Sequence, residues 1–148
     1  MKKLFNLLLC FTLVTIMSFP VNAQEPGQTI RTEENLLENG YTIIEEIIVY
    51  PGTRSTDYTA TKKSTITKSG ITIAVIAFNA TFRYDGSSVS VVSKSVSQKD
   101  TYDGWSYSQT SFTSSGGTVT LKFKLNKWLI LSNSYTMTLT CDKNGNLS

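Results

Sequence analysis

Two stretches near the C-terminus alternate apolar and polar residues without a break. Val119, Leu121, Phe123 and Leu125 interleave with Thr118, Thr120, Lys122 and Lys124, and Tyr135, Met137, Leu139 and Cys141 interleave with Thr136, Thr138 and Thr140. A period of two is that of a strand with one covered face, so both stretches predict strands whose apolar members share a core. Ile71–Tyr84 carries the longest signal. Ala74, Ile76, Phe78, Ala80 and Phe82 set an inner face against Asn79, Thr81 and Arg83, while Ile71–Ile76 is apolar on both sides. Phe78 and Phe82 are expected in the same core as Phe123.

The runs between these are weaker. Tyr41–Tyr50 is β-rich but holds Glu45 and Glu46 side by side, which predicts an edge or bulged strand. Arg54–Lys68 is a Thr/Ser-rich stretch with Tyr58, Ala60 and Ile66 as shallow apolar points, and Ser87–Gln98 changes parity between Val91 and Val92, the mark of a bulge. Trp105–Phe112 reads as a strand with Trp105 and Tyr107 on one face. Turn pairs separate the runs: Asn39-Gly40, Pro51-Gly52, Ser69-Gly70, Asp85-Gly86, Asp103-Gly104, Gly116-Gly117 and Asn144-Gly145. About seven strands and no helical period predict an all-β domain, an antiparallel immunoglobulin-like β-sandwich in architecture, with a small closed barrel as the alternative.

The first 40 residues differ from the rest. Lys2 and Lys3 precede an uncharged apolar run from Leu4 to Phe19, Pro20 breaks it, and Val21-Asn22-Ala23 has the small-x-small form of a cleavage site. Residues 1–23 are therefore expected to be a signal peptide and the mature chain secreted. Residues 24–40 lack period and are acidic. They are expected as a flexible lead with one helical turn at Glu33–Leu37, ahead of a single domain over 41–148.

Charge and composition narrow the function classes. Residues 24–50 hold six acids and one base, and residues 51–148 hold eleven bases and five acids. Lysines scattered among threonines and serines favour an acidic N-terminal part lying against the basic remainder, and the other reading is a basic sheet face for an anionic wall polymer or lipid. No general basic pull toward nucleic acid is left once the signal is removed. The chain has no histidine, so the usual general base and the commonest zinc ligand are both missing. Cleavage leaves Cys141 as a single thiol, expected in the core.

The C-terminal two thirds, roughly residues 54–148, resembles a group of small, uncharacterised secreted proteins from Gram-positive bacteria. The likeness sits in Ala80-Thr81-Phe82-Arg83-Tyr84-Asp85-Gly86-Ser87-Ser88, in Gly104-Trp105-Ser106 and in Thr138–Ser148. It implies export and a β fold, and no site.

Candidate chemistry is sparse. Glu45 and Glu46 are neighbours on a strand and point to opposite faces, so they cannot flank one bond. Asp142-x-Asn144-Gly145-Asn146 and Asp100-x-x-Asp103-Gly104 have calcium-loop residues, but turn formation explains them and too few acids are present. No cofactor or metal is expected. Tyr102, Trp105 and Tyr107 are candidates for stacking on a sugar or a partner, but the alternation at Trp105 and Tyr107 equally predicts a core position, the reading favoured for Trp105. Trp128-Leu129-Ile130-Leu131 breaks the alternation, with nine residues between the last and first confident inward positions, Leu125 and Tyr135. It is either a covered corner or an exposed apolar tip. The reading is a non-enzymatic secreted domain that binds envelope glycan or protein through its surface, the alternative being an antimicrobial or toxin-like effector acting on a membrane.

Overall fold

The computed structural model describes residues 27–37, 40–50, 57–128 and 130–148. The expected signal peptide, the Pro51-Gly52 turn and Leu129 lie outside the described residues. Eight strands run in chain order: β1 (Gln28–Leu36), β2 (Tyr41–Tyr50), β3 (Asp57–Lys68), β4 (Ile71–Tyr84), β5 (Val89–Thr101), β6 (Trp105–Ser115), β7 (Thr118–Lys127) and β8 (Leu131–Thr140). All pairings are antiparallel. β1 to β5 form one sheet and β6 to β8 a second, each in sequential order. The two sheets share one core, so the sandwich layering is as expected. The connections are those of a meander rather than the Greek key of immunoglobulin domains, and no ladder joins the sheets into a barrel.

The core follows the alternation. Val119, Leu121, Phe123, Leu125, Met137, Leu139 and Cys141 are buried with Phe78 and Phe82, and Tyr135 is half-buried against them. Phe78 meets Phe112 edge-on across the sheets at 5.5 Å, and Phe123 stacks on Tyr135 at 5.4 Å. Near the start of β4 the inner face changes parity. Ala74 pairs with Ile66 and Thr72 with Thr67, so Ile73 is the extra residue and both Ile73 and Ala74 are buried. The bulge expected near Val91 is present: Thr81 pairs with Ser93 and Phe82 with Val91, which turns Val92 outward.

Three expectations are corrected. Residues 28–36 are a strand, not part of a flexible lead, and no helical turn forms at Glu33–Leu37. β1 has almost no buried face, and the ladder to β2 holds it. β2 is accordingly an inner strand. It accommodates both glutamates because β3 supplies a lysine to each face: Lys62 meets Glu45 at 2.8 Å on the inner side, and Lys63 meets Glu46 at 2.8 Å on the outer side. Finally, β7 and β8 continue past Leu125 and Tyr135 to a last pair at Lys127 and Leu131, so the connection is a three-residue hairpin with no excess to fold away.

Candidate functional site

A meander puts alternate turns at the same end. The junctions β1–β2, β3–β4, β5–β6 and β7–β8 share one end, and β4–β5, β6–β7 and the C-terminal segment share the other. Contacts tie the first set together. The Ser69 amide donates to the Gly40 carbonyl at 2.9 Å and the Tyr102 amide to the Ile73 carbonyl at 2.9 Å.

The two ends differ in chemistry. At the first, Leu36 and Leu37 come from the β1–β2 junction, Ile71 from the β3–β4 turn, Tyr102 from the β5–β6 turn, and Trp128, Ile130 and Leu131 from the hairpin tip, all exposed. The remaining exposed large apolar side chains among the described residues are Ile30 and Val92. Trp128 is 76% and Ile130 86% accessible, which decides between the two readings of the tip in favour of exposure. Trp128 adopts a left-handed backbone, φ 56°, and its indole passes over Gly104, where an added Cβ would lie 3.2 Å from Nε1. Gly104 itself has φ 74°, a left-handed backbone that favours glycine.

Beneath this surface the end is rigid. Trp105 is buried and meets Tyr41 edge-on at 6.3 Å. The Lys68 and Lys127 ammonium groups lie 5.0 Å and 6.0 Å from the Tyr41 and Trp105 ring centres, and Lys127 also bonds Asp103 at 2.6 Å. A cleft of about 330 Å³ opens between Lys68, Ile71, Trp105, Lys127 and Leu131. Tyr107 lies deeper, 5.5 Å from Phe123, and donates its hydroxyl to Gln109 at 3.3 Å. The candidates read from sequence therefore separate: Tyr102, Trp128 and Ile130 reach this surface, Trp105 supports it from below, and Tyr107 belongs to the core wall. Ile71 joins the surface unforeseen, whereas Leu37 lines a cavity between the sheets and Leu36 pairs with Thr42 on the outer face of the larger sheet. The signal for Ile71 was its place directly after the Ser69-Gly70 turn.

The opposite end is polar and self-satisfied. The Asp85 carboxylate accepts from the Ser87 hydroxyl at 2.7 Å and from the Ser88 and Ser87 amides at 2.7 and 2.9 Å, and these bonds hold it far below the usual carboxylate range. Asp142 accepts from the Asn144 and Asn146 amides at 2.8 and 2.9 Å and from the Asn146 side chain, which lowers its pKa too. The Gly86 amide donates to the Lys143 carbonyl at 2.9 Å, linking the two loops. In both loops the acid organises its own turn. In the other loop weighed for calcium, Asp103 is paired with Lys127 and Asp100 accepts from Gln98 at 2.6 Å.

Two further features lie between the sheets. Cys141 is buried, and burial together with neighbouring Asp142 pushes its thiol up to about 11. A lateral cavity of about 230 Å³ has Ile43, Ile66, Phe123 and Met137 as its apolar wall and Glu45 at its side. That carboxylate is engaged by Lys62 and by the Ser64 hydroxyl, which donates at 3.2 Å. Among the described residues no three acids or thiols gather around a common point. Compared with known proteins, the chain matches no family model, no curated protein and no solved structure.

Proposed function

We propose that this chain is a secreted, non-enzymatic domain that seats its apolar end in a lipid bilayer at the cell envelope. The observation that carries the reading is the gathering of exposed apolar side chains from three separate turns at one end, Ile71 from β3–β4, Tyr102 from β5–β6 and Trp128, Ile130 and Leu131 from β7–β8, against a polar opposite end. Natural monomers avoid contiguous apolar patches that nothing covers. The residues are those of a membrane interface: Trp128 and Tyr102 carry amphipathic rings, Ile130 and Ile71 aliphatic bulk, and Lys68 and Lys127 sit just behind them. Moving one such side chain out of water contributes about 1.5–3 kcal/mol, so two or three inserted together give measurable, reversible binding. The apolar run at residues 4–19 and the likeness to secreted proteins of Gram-positive bacteria support the envelope setting.

The test is vesicle co-sedimentation of the purified protein with phosphatidylglycerol–phosphatidylcholine vesicles, alongside Trp128→Ser/Ile130→Ser. The wild type should sediment and its tryptophan emission should shift to the blue, since Trp105 is already buried and Trp128 is the ring that changes environment. The double variant should lose binding by about 100-fold or more, while its unfolding free energy in urea stays within about 0.5 kcal/mol of wild type, as for exposed sites. Equal sedimentation of the two proteins, or none by the wild type, refutes the reading.

A further inference from the structure

The outward face of the β6–β7–β8 sheet is composed unlike any other surface of the molecule. Every outward position of β6 and β8, from Ser106 to Ser115 and from Ser132 to Thr140, is serine or threonine. On the central strand β7 the outward residues are Thr118, Thr120, Lys122, Lys124 and Asn126. The face holds neither a carboxylate nor an apolar side chain. The register makes it a lattice. Lys122 lies between Ser111 and Thr136, and Lys124 between Ser108 and Ser134. Strands are about 4.8 Å apart and the two lysines about 7 Å apart along β7.

The outward face of the larger sheet provides the contrast. There each base in the central strands has an acid, Lys63 with Glu46 at 2.8 Å and Arg83 with Asp57 at 2.8 Å. Lys122 and Lys124 are exposed and have no ion pair or hydrogen-bonded partner among the described residues. The acid-rich N-terminal part answers Lys62 and Lys63 through Glu45 and Glu46, but it does not reach these two. The hydroxyls of the rows around them are likewise uncommitted. The bonds within this face lie at its two ends, Thr118 to Thr140 at 3.2 Å and Ser132 to Asn126 at 2.7 Å.

We propose that this face binds a polyanionic, hydroxyl-rich chain, a glycan or polyol polymer carrying phosphate or sulfate groups. Two uncompensated ammonium groups select the anion, with an attraction reaching about 8–10 Å at moderate salt. The surrounding hydroxyls donate to and accept from sugar or polyol oxygens, and they are short enough to leave the face flat for an extended polymer. An acid anywhere on the lattice would repel the ligand, and none is present. The surface is distinct from the apolar end, so it operates whether or not that end meets a membrane.

The experiment is a titration in solution without vesicles, using dextran sulfate, poly(glycerol phosphate) and neutral dextran as probes, with binding localised by amide chemical-shift mapping. The wild type should bind one or both anionic polymers with shifts confined to β6–β8. Preference between the two separates a sulfated from a phosphodiester ligand. Lys122→Gln/Lys124→Gln should weaken binding by about tenfold at low salt and flatten its salt dependence. Thr120→Val/Thr138→Val keeps both charges and should still weaken it by about threefold. Lys143→Gln, at the polar end, should stay within about twofold of wild type. All these positions are exposed or half-exposed, and unchanged urea midpoints confirm that each variant is folded. Loss of binding in Lys143→Gln equal to that of the double lysine variant, wild-type affinity in the threonine variant, or no polymer binding by the wild type overturns the proposal.

Discussion

Removing Glu45 should destabilise the domain more than removing its partner. The Lys62 side chain is 7% and that of Glu45 19% exposed, and the two meet at 2.8 Å on the inner face of the larger sheet. With an effective dielectric near 20, the gross attraction at this distance is on the order of 5 kcal/mol, most of which offsets the desolvation of both groups. Glu45→Ala leaves an ammonium buried on the inner face beside Ala60 and between Ile47 and Phe78 without its carboxylate, a loss of about 3–5 kcal/mol. Lys62→Met leaves a carboxylate that still accepts from Ser64 and borders the 230 Å³ cavity, where water can reach it. That variant should lose about 1–2 kcal/mol. Lys62→Met/Glu45→Leu, with no charge left to desolvate, should fall within about 1.5 kcal/mol of wild type. Urea unfolding followed by circular dichroism measures all three. With a slope near 1.5 kcal/mol per molar, Glu45→Ala shifts the midpoint by about 2–3 M. A loss below about 1 kcal/mol for Glu45→Ala, a larger loss for Lys62→Met, or a double variant worse than either single one refutes the reasoning.

Three further outcomes are expected. Phe123→Ala removes a ring that is 1% exposed and flanked by Tyr107 and Tyr135, and should cost about 3–5 kcal/mol in the same unfolding assay, while Lys124→Ala is nearly silent. Gly117→Ala drives a Cβ into the Cys141 carbonyl and the Val89 side chain, so it should destabilise by about 1–3 kcal/mol. The buried Cys141 thiol should resist alkylation in the native protein and react on denaturation. Because the folded thiol stays protonated up to about 11 and the unfolded one ionises near 8.5, its contribution should be complete below about 8.5 and fall as pH rises toward 11, and Cys141→Ala should remove the part of that fall below the range where Tyr58, Tyr107 and Tyr135, raised by burial, also titrate.

The strands with one covered face were legible in the sequence because burial imposes a period. Val119–Leu125 and Tyr135–Cys141 show it plainly, and the parity change at Val91–Val92 revealed a bulge for the same reason. β1 escaped because it has almost no buried face: Thr, Glu and Asn alternate with nothing, and the ladder to β2 is a property of the pair. β2 looked like an edge because two adjacent glutamates are costly on an inner strand, and the lysines that neutralise them sit on β3. The exposed tip could not be told from a covered corner because β7 and β8 extend beyond the core, where alternation ceases to report burial. Grouping the apolar turns at one end needed the topology, since Ile71, Tyr102 and Trp128 are far apart in sequence and are brought together by a meander.

That meander also bears on how the chain folds. Each strand pairs with its immediate predecessor, apart from the step from β5 to β6 where the chain changes sheet. Hairpins joined by turns such as Ser69-Gly70, Gly116-Gly117 and the three-residue tip form in microseconds and close short loops. Relative contact order is therefore low for an all-β protein, and folding should be faster than in Greek-key sandwiches of equal size. The step expected to be slow is the docking of the five-stranded sheet on the three-stranded one, which Phe78 and Phe112 join in the native state. Core substitutions at that contact should slow folding, whereas those along a single ladder should chiefly speed unfolding.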